Sequence, residues 1–452
     1  MLRSIASLTA IAPAVLLAVA CSSDDSSDSK ARELPDCTVG GSGGTGDQSG
    51  TGGAPDEGDG GEPSEKPEGG SGGGDGGTGA GGSGGSTGGG GGKDLPAAKY
   101  GFFPETVSLA DAEEAYTYWK DTYIVDCGTA GKRVSSGEGQ TLAEAIGFGA
   151  LLAVGWDDKE TFDGIATYYR KAGAATDAVK GTSLGLMGWY MGPDACEFEE
   201  VYPQAAIGSD INVAMALLQA ECRWGGGKYI DQAEKILKSV REAATKEVDG
   251  QIVLLPSDDG AGECSSPSYM APGFFRVFAK AFPDDAEYWN QFADDTYVII
   301  NAASKTVTKL APDWAANSSA VCESSGYVGY DGIRTGWRVA TDYAWFGTDA
   351  AKKWMQTATK YLEDEVGTEE FINVKDGFFA DGEGMLIAPG LGNSAFIGAF
   401  AVASMATSQE TSDSFHQAFV DIPKANDKSY YPDTGRAIYL MLSTNKFSPG
   451  CY

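Results

Sequence analysis

From about Tyr100 to Tyr452, apolar residues recur at helical spacing in about twelve segments, several of them close pairs joined by short turns. The segments are 107–121, 141–155, 159–171, 210–223, 228–245, 270–281, 284–303, 333–345, 347–364, 392–407, 410–421 and 430–443. Gly225-Gly226-Gly227 separates one pair, Pro283 punctuates a second and Gly347 a third. Helices paired in this way suit an all-α (α/α)6 toroid, in which inner and outer helices alternate. An irregular bundle or a solenoid uses the same ingredients, and the lack of a repeat of fixed period disfavours the solenoid. We take the toroid as the expected fold. The apolar run Gln251 to Leu255 suits a strand in one of the longer loops.

The chain ahead of this region has a different character. Residues 22 to 98 are mostly Gly, Ser, Thr, Asp and Glu, and too few apolar side chains are present to offset the entropy of ordering the backbone. Such a stretch is a flexible tether with a mean reach of about 50 Å. Its glycine runs are not phosphate loops, because no strand precedes them and no Gly-Lys-Ser/Thr or helix follows. At the start, Arg3 precedes an apolar stretch from Ile5 to Ala20 that is broken by Pro13 and too short for a convincing membrane span. The sequence Ala18-Val19-Ala20-Cys21, followed by Ser22 and Ser23, resembles a bacterial lipoprotein signal. Its usual Leu three residues before the Cys is Ala18 here, with Leu17 one place earlier. The expected organisation is a signal peptide over 1–20, a tether over 21–98 that begins at a lipidated Cys21, and a folded domain over 99–452. The protein is expected outside the cytoplasm, lipid-anchored or secreted, where disulfides are permitted.

Charge narrows the partners. The chain has 64 acidic and 33 basic residues, a net of −31, and the folded region retains about −22 of it. Such a surface repels a phosphate backbone and acidic lipid head groups, so no nucleic acid is expected, and no membrane contact beyond the lipid anchor. A polysaccharide, neutral or cationic, is compatible, and a monomer is expected. The lone histidine, His416, excludes a His-rich metal site, argues against Ser-His-Asp catalysis, and is expected to be structural or solvated. After Cys21 the cysteines are Cys37 in the tether and Cys127, Cys196, Cys222, Cys264, Cys322 and Cys451 in the domain. Their spacing matches no zinc pattern, so two or three disulfides of open connectivity are expected, with no metal and no cofactor.

Carboxylates remain as candidates for chemistry. Glu144 lies in the apolar, small-residue stretch Ala143 to Val154, where lost solvation raises its pKa toward general-acid duty. Asp331 precedes a helix and has Arg334 three residues on, within ion-pair reach, which keeps a base ionised. Asp210 opens a helix, where an N-cap is the plainer role. Taken singly, Glu144 and Asp331 also read as structural ion pairs. The aromatics change the balance: Trp189, Tyr190, Trp224, Tyr269, Phe274, Phe275, Trp314, Tyr327, Tyr330, Trp337, Tyr430 and Tyr431 fall mostly at predicted helix ends or loops. Rings there can stack on pyranose sugars, although Trp224 and Trp337 also suit plain core packing. Paired carboxylates in an aromatic cleft are what hydrolysis of a glycosidic bond requires.

The same stretches resemble glycoside hydrolase family 8, collinearly from about Tyr116 to Phe447. The family's Ser-Glu-Gly-x-x-Tyr-Gly helix corresponds to Ala143 through Gly149, followed by Leu151-Leu152-Ala153-Val154. Asp158 to Asp163, Gly208 to Trp224, Pro267 to Pro272 and Pro312-Asp313-Trp314 have counterparts in order. The family's Tyr-Asp-Ala-x-Arg-x-Pro-Trp-Arg falls on Tyr330 to Arg338, and its C-terminal Tyr-Tyr stretch on Tyr430-Tyr431 through Phe447. The resemblance implies Glu144 as proton donor and Asp331 as the base that activates water. It further implies an inverting mechanism, with Asp210, Arg334, Tyr269, Tyr330, Tyr430 and Tyr431 lining the sugar site. The sequence departs from the pattern at Ala143, Ala145, Gly336 and above all Gly208, where the family has an Asp that contacts the sugar at the cleavage point. Asp210 is the candidate to substitute for it.

The resulting expectation is an endo-acting glycoside hydrolase that cuts β-1,4-linked glucan, xylan or chitosan, with its two carboxyls about 6.5–9.5 Å apart. The alternative is a non-catalytic carbohydrate-binding lipoprotein that lost activity at Gly208.

Overall fold

The computed structural model describes residues 91–452, apart from 138, 260–263, 305–307, 317–326, 368–370, 377, 380–385, 388–391 and 423–428. The predicted signal, Cys21, nearly all of the tether, Cys37 and Cys322 lie outside the described residues.

Among the described residues there are twelve α-helices: α1 Leu109–Tyr123, α2 Ala143–Gly155, α3 Lys159–Lys180, α4 Ile207–Trp224, α5 Lys228–Ala243, α6 Pro272–Ala281, α7 Ala286–Ala303, α8 Thr335–Phe346, α9 Asp349–Glu365, α10 Ser394–Ser404, α11 Gln409–Asp421 and α12 Tyr430–Ser443. The even-numbered helices touch in a closed circuit, α2 to α4, α6, α8, α10, α12 and back to α2. Each odd-numbered helix lies on one member of that circuit: α1 on α12, α3 on α2, α5 on α4, α7 on α6, α9 on α8 and α11 on α10. This is the (α/α)6 toroid.

The sequence explains which helices are inside. In α2 every residue except Glu144 is buried, and all of α10 is buried, so neither has a polar face for water. The outer α5 buries only Tyr229, Ala233, Ile236, Leu237 and Val240, a single stripe at helical spacing. Inner neighbours approach closely where the side chain is missing: a Cβ on Gly147 of α2 would stand 2.9 Å from Asn212 Cβ of α4. Local signals set the helix ends. Ser108 and Asp111 form a capping box on α1, Asp158 caps α3 by accepting from the Thr161 amide at 3.1 Å, and Gly347 ends α8 at φ +64°.

Helix α3 is longer than the 159–171 expected. It runs on through Gly173, where a Cβ would meet the Gly185 carbonyl oxygen at 2.5 Å so that only a glycine fits, and it ends at the left-handed Gly181. The strands are short. Thr141–Leu142, Gly188–Met191 and Val201–Ala205 form one antiparallel sheet, and Gln251–Leu254 pairs with Thr245–Val248 as the apolar run suggested. Disulfides join Cys127 to Cys196 and Cys222 to Cys451, and Cys264 is also disulfide-bonded.

Two buried titratable groups sit in the packing. His416 of α11 is fully buried rather than solvated, with Nδ1 2.8 Å from the Ser412 carbonyl and Nε2 2.8 Å from Ser443 Oγ. Burial pulls its imidazole down to about 4, so it is a neutral packing group. Asp210 is not the N-cap of α4, a position held by Ala206, but a residue of the first turn with no exposed surface. Its Oδ1 accepts from the Tyr169 hydroxyl of α3 and, at 3.3 Å, from the Met187 amide, while buried Oδ2 has no hydrogen-bond partner among the described residues. An ionised oxygen in that position would be costly, and burial pushes the carboxyl up to about 7.

The stabilisation from neutral Asp210 is thus full below about pH 4 and lost as pH rises through about 7, a change on the order of 4 kcal/mol. Asp210→Asn cannot ionise and keeps an acceptor for Tyr169. Melting temperatures compared from pH 5 to 8.5 should show the variant gaining on the wild type up to about pH 7 and the difference levelling off above it. Parallel curves would mean that Asp210 is charged in the fold throughout.

Candidate active site

The strand Thr141–Leu142 runs directly into α2, which puts Glu144 in the first helical turn with only 18% of its side chain exposed. On the far side of the circuit a 3-10 turn, Gly332–Arg334, leads into α8. Asp331 stands just before that turn with 35% of its side chain exposed, and Arg334 closes it at 10%. The Arg334 guanidinium joins the two carboxylates: Nη1 pairs with Glu144 Oε1 and Nη2 with Asp331 Oδ1. The two residues are 187 positions apart in the chain and share one cation.

The environments of the two carboxylates differ. Burial is the largest influence on Glu144 and raises its pKa, Arg334 opposes it, and the Asp331 charge adds to the rise. The net direction is upward, so desolvation outweighs the ion pair. Arg334 is held well above its ordinary value by Glu144 and Asp331 despite burial, so it remains a cation. One turn later, Arg338 donates from Nε to the Ser268 carbonyl at 2.9 Å and from Nη1 to Asn212 Oδ1 at 2.6 Å. Burial and then the neighbouring Arg334 pull its guanidinium down to about 9. Arg338 therefore ties α8 to α4 and to the 3-10 turn Pro267–Tyr269.

Tyrosines border the pair. Tyr430 and Tyr431 open α12, and burial together with the Glu144 charge raises both hydroxyls. Tyr431 packs on Tyr330 at 5.3 Å between ring centroids, and Tyr330 accepts a hydrogen bond from Asn393 at 2.7 Å. The Tyr269 hydroxyl is raised by burial and by Asp331, which places that ring in the same electrostatic group. Tyr269 also packs edge-on to Trp314 at 6.3 Å. Its ring lies on Gly208, where an added Cβ would be 2.8 Å from Tyr269 Cγ. The position that has an Asp in the family pattern is thus covered by a tyrosine ring.

Glu144, Asp331, Arg334, Tyr269, Tyr330, Tyr430 and Tyr431 come together. Asp210 does not join them: it faces Tyr169 and the Met187 amide in the packing between α3 and α4, so it offers no carboxylate to replace the one missing at Gly208. Trp337 is fully buried on Phe148, Phe274 and Phe447, and Trp224 donates to Asp157 and packs on Phe162, so both are structural. Trp189, Tyr190 and Tyr202 form a separate aromatic cluster on the three-stranded sheet. Arg338 and Asn212 both lie in stretches that match the family pattern, but their pairing spans 126 positions and only the structure shows it. A surface cavity of about 460 Å³ between α3 and α5, lined by Asp163, Arg170, Lys228 and Tyr229 among others, contains neither carboxylate of the pair.

The sequence matches the profile of glycosyl hydrolases family 8 over residues 96–445. Endoglucanase 2 of Ruminiclostridium josui is 27% identical over 369 residues, 79% of this chain and 76% of that protein. The reducing-end xylose-releasing exo-oligoxylanase Rex8A of Paenibacillus barcinonensis is 25% identical over 69% of this chain and 83% of its own length. Among solved structures, the β-1,3-1,4-glucanase of Paenibacillus sp. X4 superposes with a TM-score of 0.67 at 23% identity, covering 77% of this chain and 96% of that one. With its toroid, its carboxylate pair and a family match over most of its length, this chain belongs to glycosyl hydrolases family 8 and is a glycoside hydrolase.

Proposed function

We propose that this chain is an endo-acting β-glycanase that cuts β-1,4-linked glucan, xylan or chitosan with inversion, using Glu144 as acid and Asp331 as base. The observation that carries the reading is the single guanidinium shared by a buried and a more exposed carboxylate. Two carboxyls in environments that separate their protonation states are the requirement for acid–base work. Glu144, raised by burial, gives its proton to the glycosidic oxygen as the bond from C1 breaks. A water attacks C1 from the opposite face and passes its proton to Asp331. Solvent returns a proton to Glu144 and takes one from Asp331, so the net reaction adds one water across the bond. Arg334 offsets the repulsion between the two carboxylates and fixes their orientation. The names of relatives as endoglucanases support the substrate class and the endo mode.

A second reading, a carbohydrate-binding protein without activity, is favoured by one observation: no carboxylate stands at Gly208 and Tyr269 fills the space. In either case the signal-like start and Cys21 support export and lipid anchoring.

Glu144→Gln and Asp331→Asn should each lower release of reducing ends by about 10²–10⁴-fold while oligosaccharide binding persists. Substrates with good leaving groups should partly rescue only the Glu144 variant, and NMR should show the first product with inverted configuration. A wild type as inert as both variants, yet still binding glycan, would hand the case to the second reading. Gly208→Asp should press on the Tyr269 ring, cost about 1–3 kcal/mol in stability and fail to raise activity; a rise in kcat would identify the missing carboxylate as what limits the wild type. For location, a labelled fatty acid fed to cells should mark the wild type and not Cys21→Ser, and equal labelling would refute the anchor.

A further inference from the structure

The turn that carries Asp331 is held by a carboxylate outside the catalytic pair. Asp313 follows Pro312, and its Oδ1 accepts two backbone N–H bonds, from Gly329 and from Gly332, each 2.6 Å long. The Asp313 N–H in turn donates to the Tyr327 carbonyl at 2.9 Å. These three bonds bracket residues 327–332, and Asp331 lies within the bracket. The Ile333 N–H donates to the Gly329 carbonyl at 3.0 Å and closes the turn on itself.

The space around the turn fits the same arrangement. A Cβ on Gly332 would lie 2.6 Å from the Ala311 carbonyl oxygen and 2.9 Å from the Asp313 amide nitrogen, and one on Gly329 would lie 2.7 Å from Asp313 Oδ2. At Gly332 the backbone therefore rests directly on the backbone of 311–313, and at Gly329 it rests on the Asp313 carboxylate and the Tyr327 ring. Backbone N–H bonds to an ionised carboxylate are about twice as strong as neutral ones. Burial and the nearby Asp331 push the Asp313 carboxyl up to about 6, while the two amides pull it back, so it is mostly ionised at neutral pH.

We infer that Asp313 is a positioning residue for the base: by gripping both amides that flank Asp331, it fixes the turn so that the Asp331 carboxylate stands against Arg334 and opposite Glu144. The role differs from that of Arg334, which meets the carboxylates themselves, because Asp313 acts through the backbone. The inference rests on Asp331 being the base, and its test separates the two claims.

Asp313→Asn keeps an oxygen for both amides, whereas Asp313→Ala keeps none. On a glycan that the wild type cuts, Asp313→Ala should lower kcat about 10²-fold with KM little changed, since misplacing a catalytic group by about 1 Å costs that much. Asp313→Asn should stay within about tenfold of the wild type. Hydrogen exchange at the Gly329 and Gly332 amides reads the grip without reference to activity: slow in the wild type and in Asp313→Asn, fast in Asp313→Ala. If the alanine variant does not fold, Asp313→Ser, whose hydroxyl is too short to reach both amides, takes its place. An alanine variant with wild-type kcat, or amides that exchange alike in all variants, overturns the inference. A wild type inert on every glycan would defeat the proposed reaction instead, and the exchange data would still decide whether Asp313 holds the turn.

Discussion

The site depends on closure of the inner circuit, where α12 returns from the end of the chain to lie against α2 and α1. That junction is sealed by buried polar contacts as well as apolar packing: Trp119 donates to Thr434 at 2.9 Å, and the Tyr123 hydroxyl donates to Asp433. Such bonds matter because buried donors and acceptors left unpaired would cost the fold dearly. Closure sets Tyr430 and Tyr431 beside Glu144, although some 286 positions separate them in the chain. An open arrangement of the same helices would keep every local element and lose the site.

Within the circuit, one cation serves two anions. Arg334 alone would hold Glu144 ionised, which would leave no proton donor. Burial tips the balance at Glu144, because taking a charge out of water costs more there than the ion pair returns. Asp331, nearly twice as exposed, remains the member open to solvent. The asymmetry arises from where each residue sits: one in the first turn of a helix buried on all other sides, the other on a turn at the rim.

The helices were legible because their signal is local. Apolar spacing, with Gly225-Gly226-Gly227, Pro283 and Gly347 as punctuation, places most boundaries within about two residues. Helix α3 is the exception: the expected 159–171 runs nine residues further, through Gly173, to the left-handed Gly181. Asp210 misled as well. Its sequence position next to the motif suggests the sugar site, while its side chain is claimed by Tyr169 from another helix.

The amino-acid sequence by itself determined the helical hairpins, the candidate pair Glu144 and Asp331, and the link from Asp331 to Arg334, since three residues in a turn are within reach of one another. Tertiary structure alone decided that Arg334 also reaches Glu144, that Tyr269 covers Gly208, that Asp313 grips the turn beneath the base, and that Trp337 belongs to the core. Each of these depends on which helix ends the closed circuit brings together, and a sequence records spacing along a chain rather than distance across a ring.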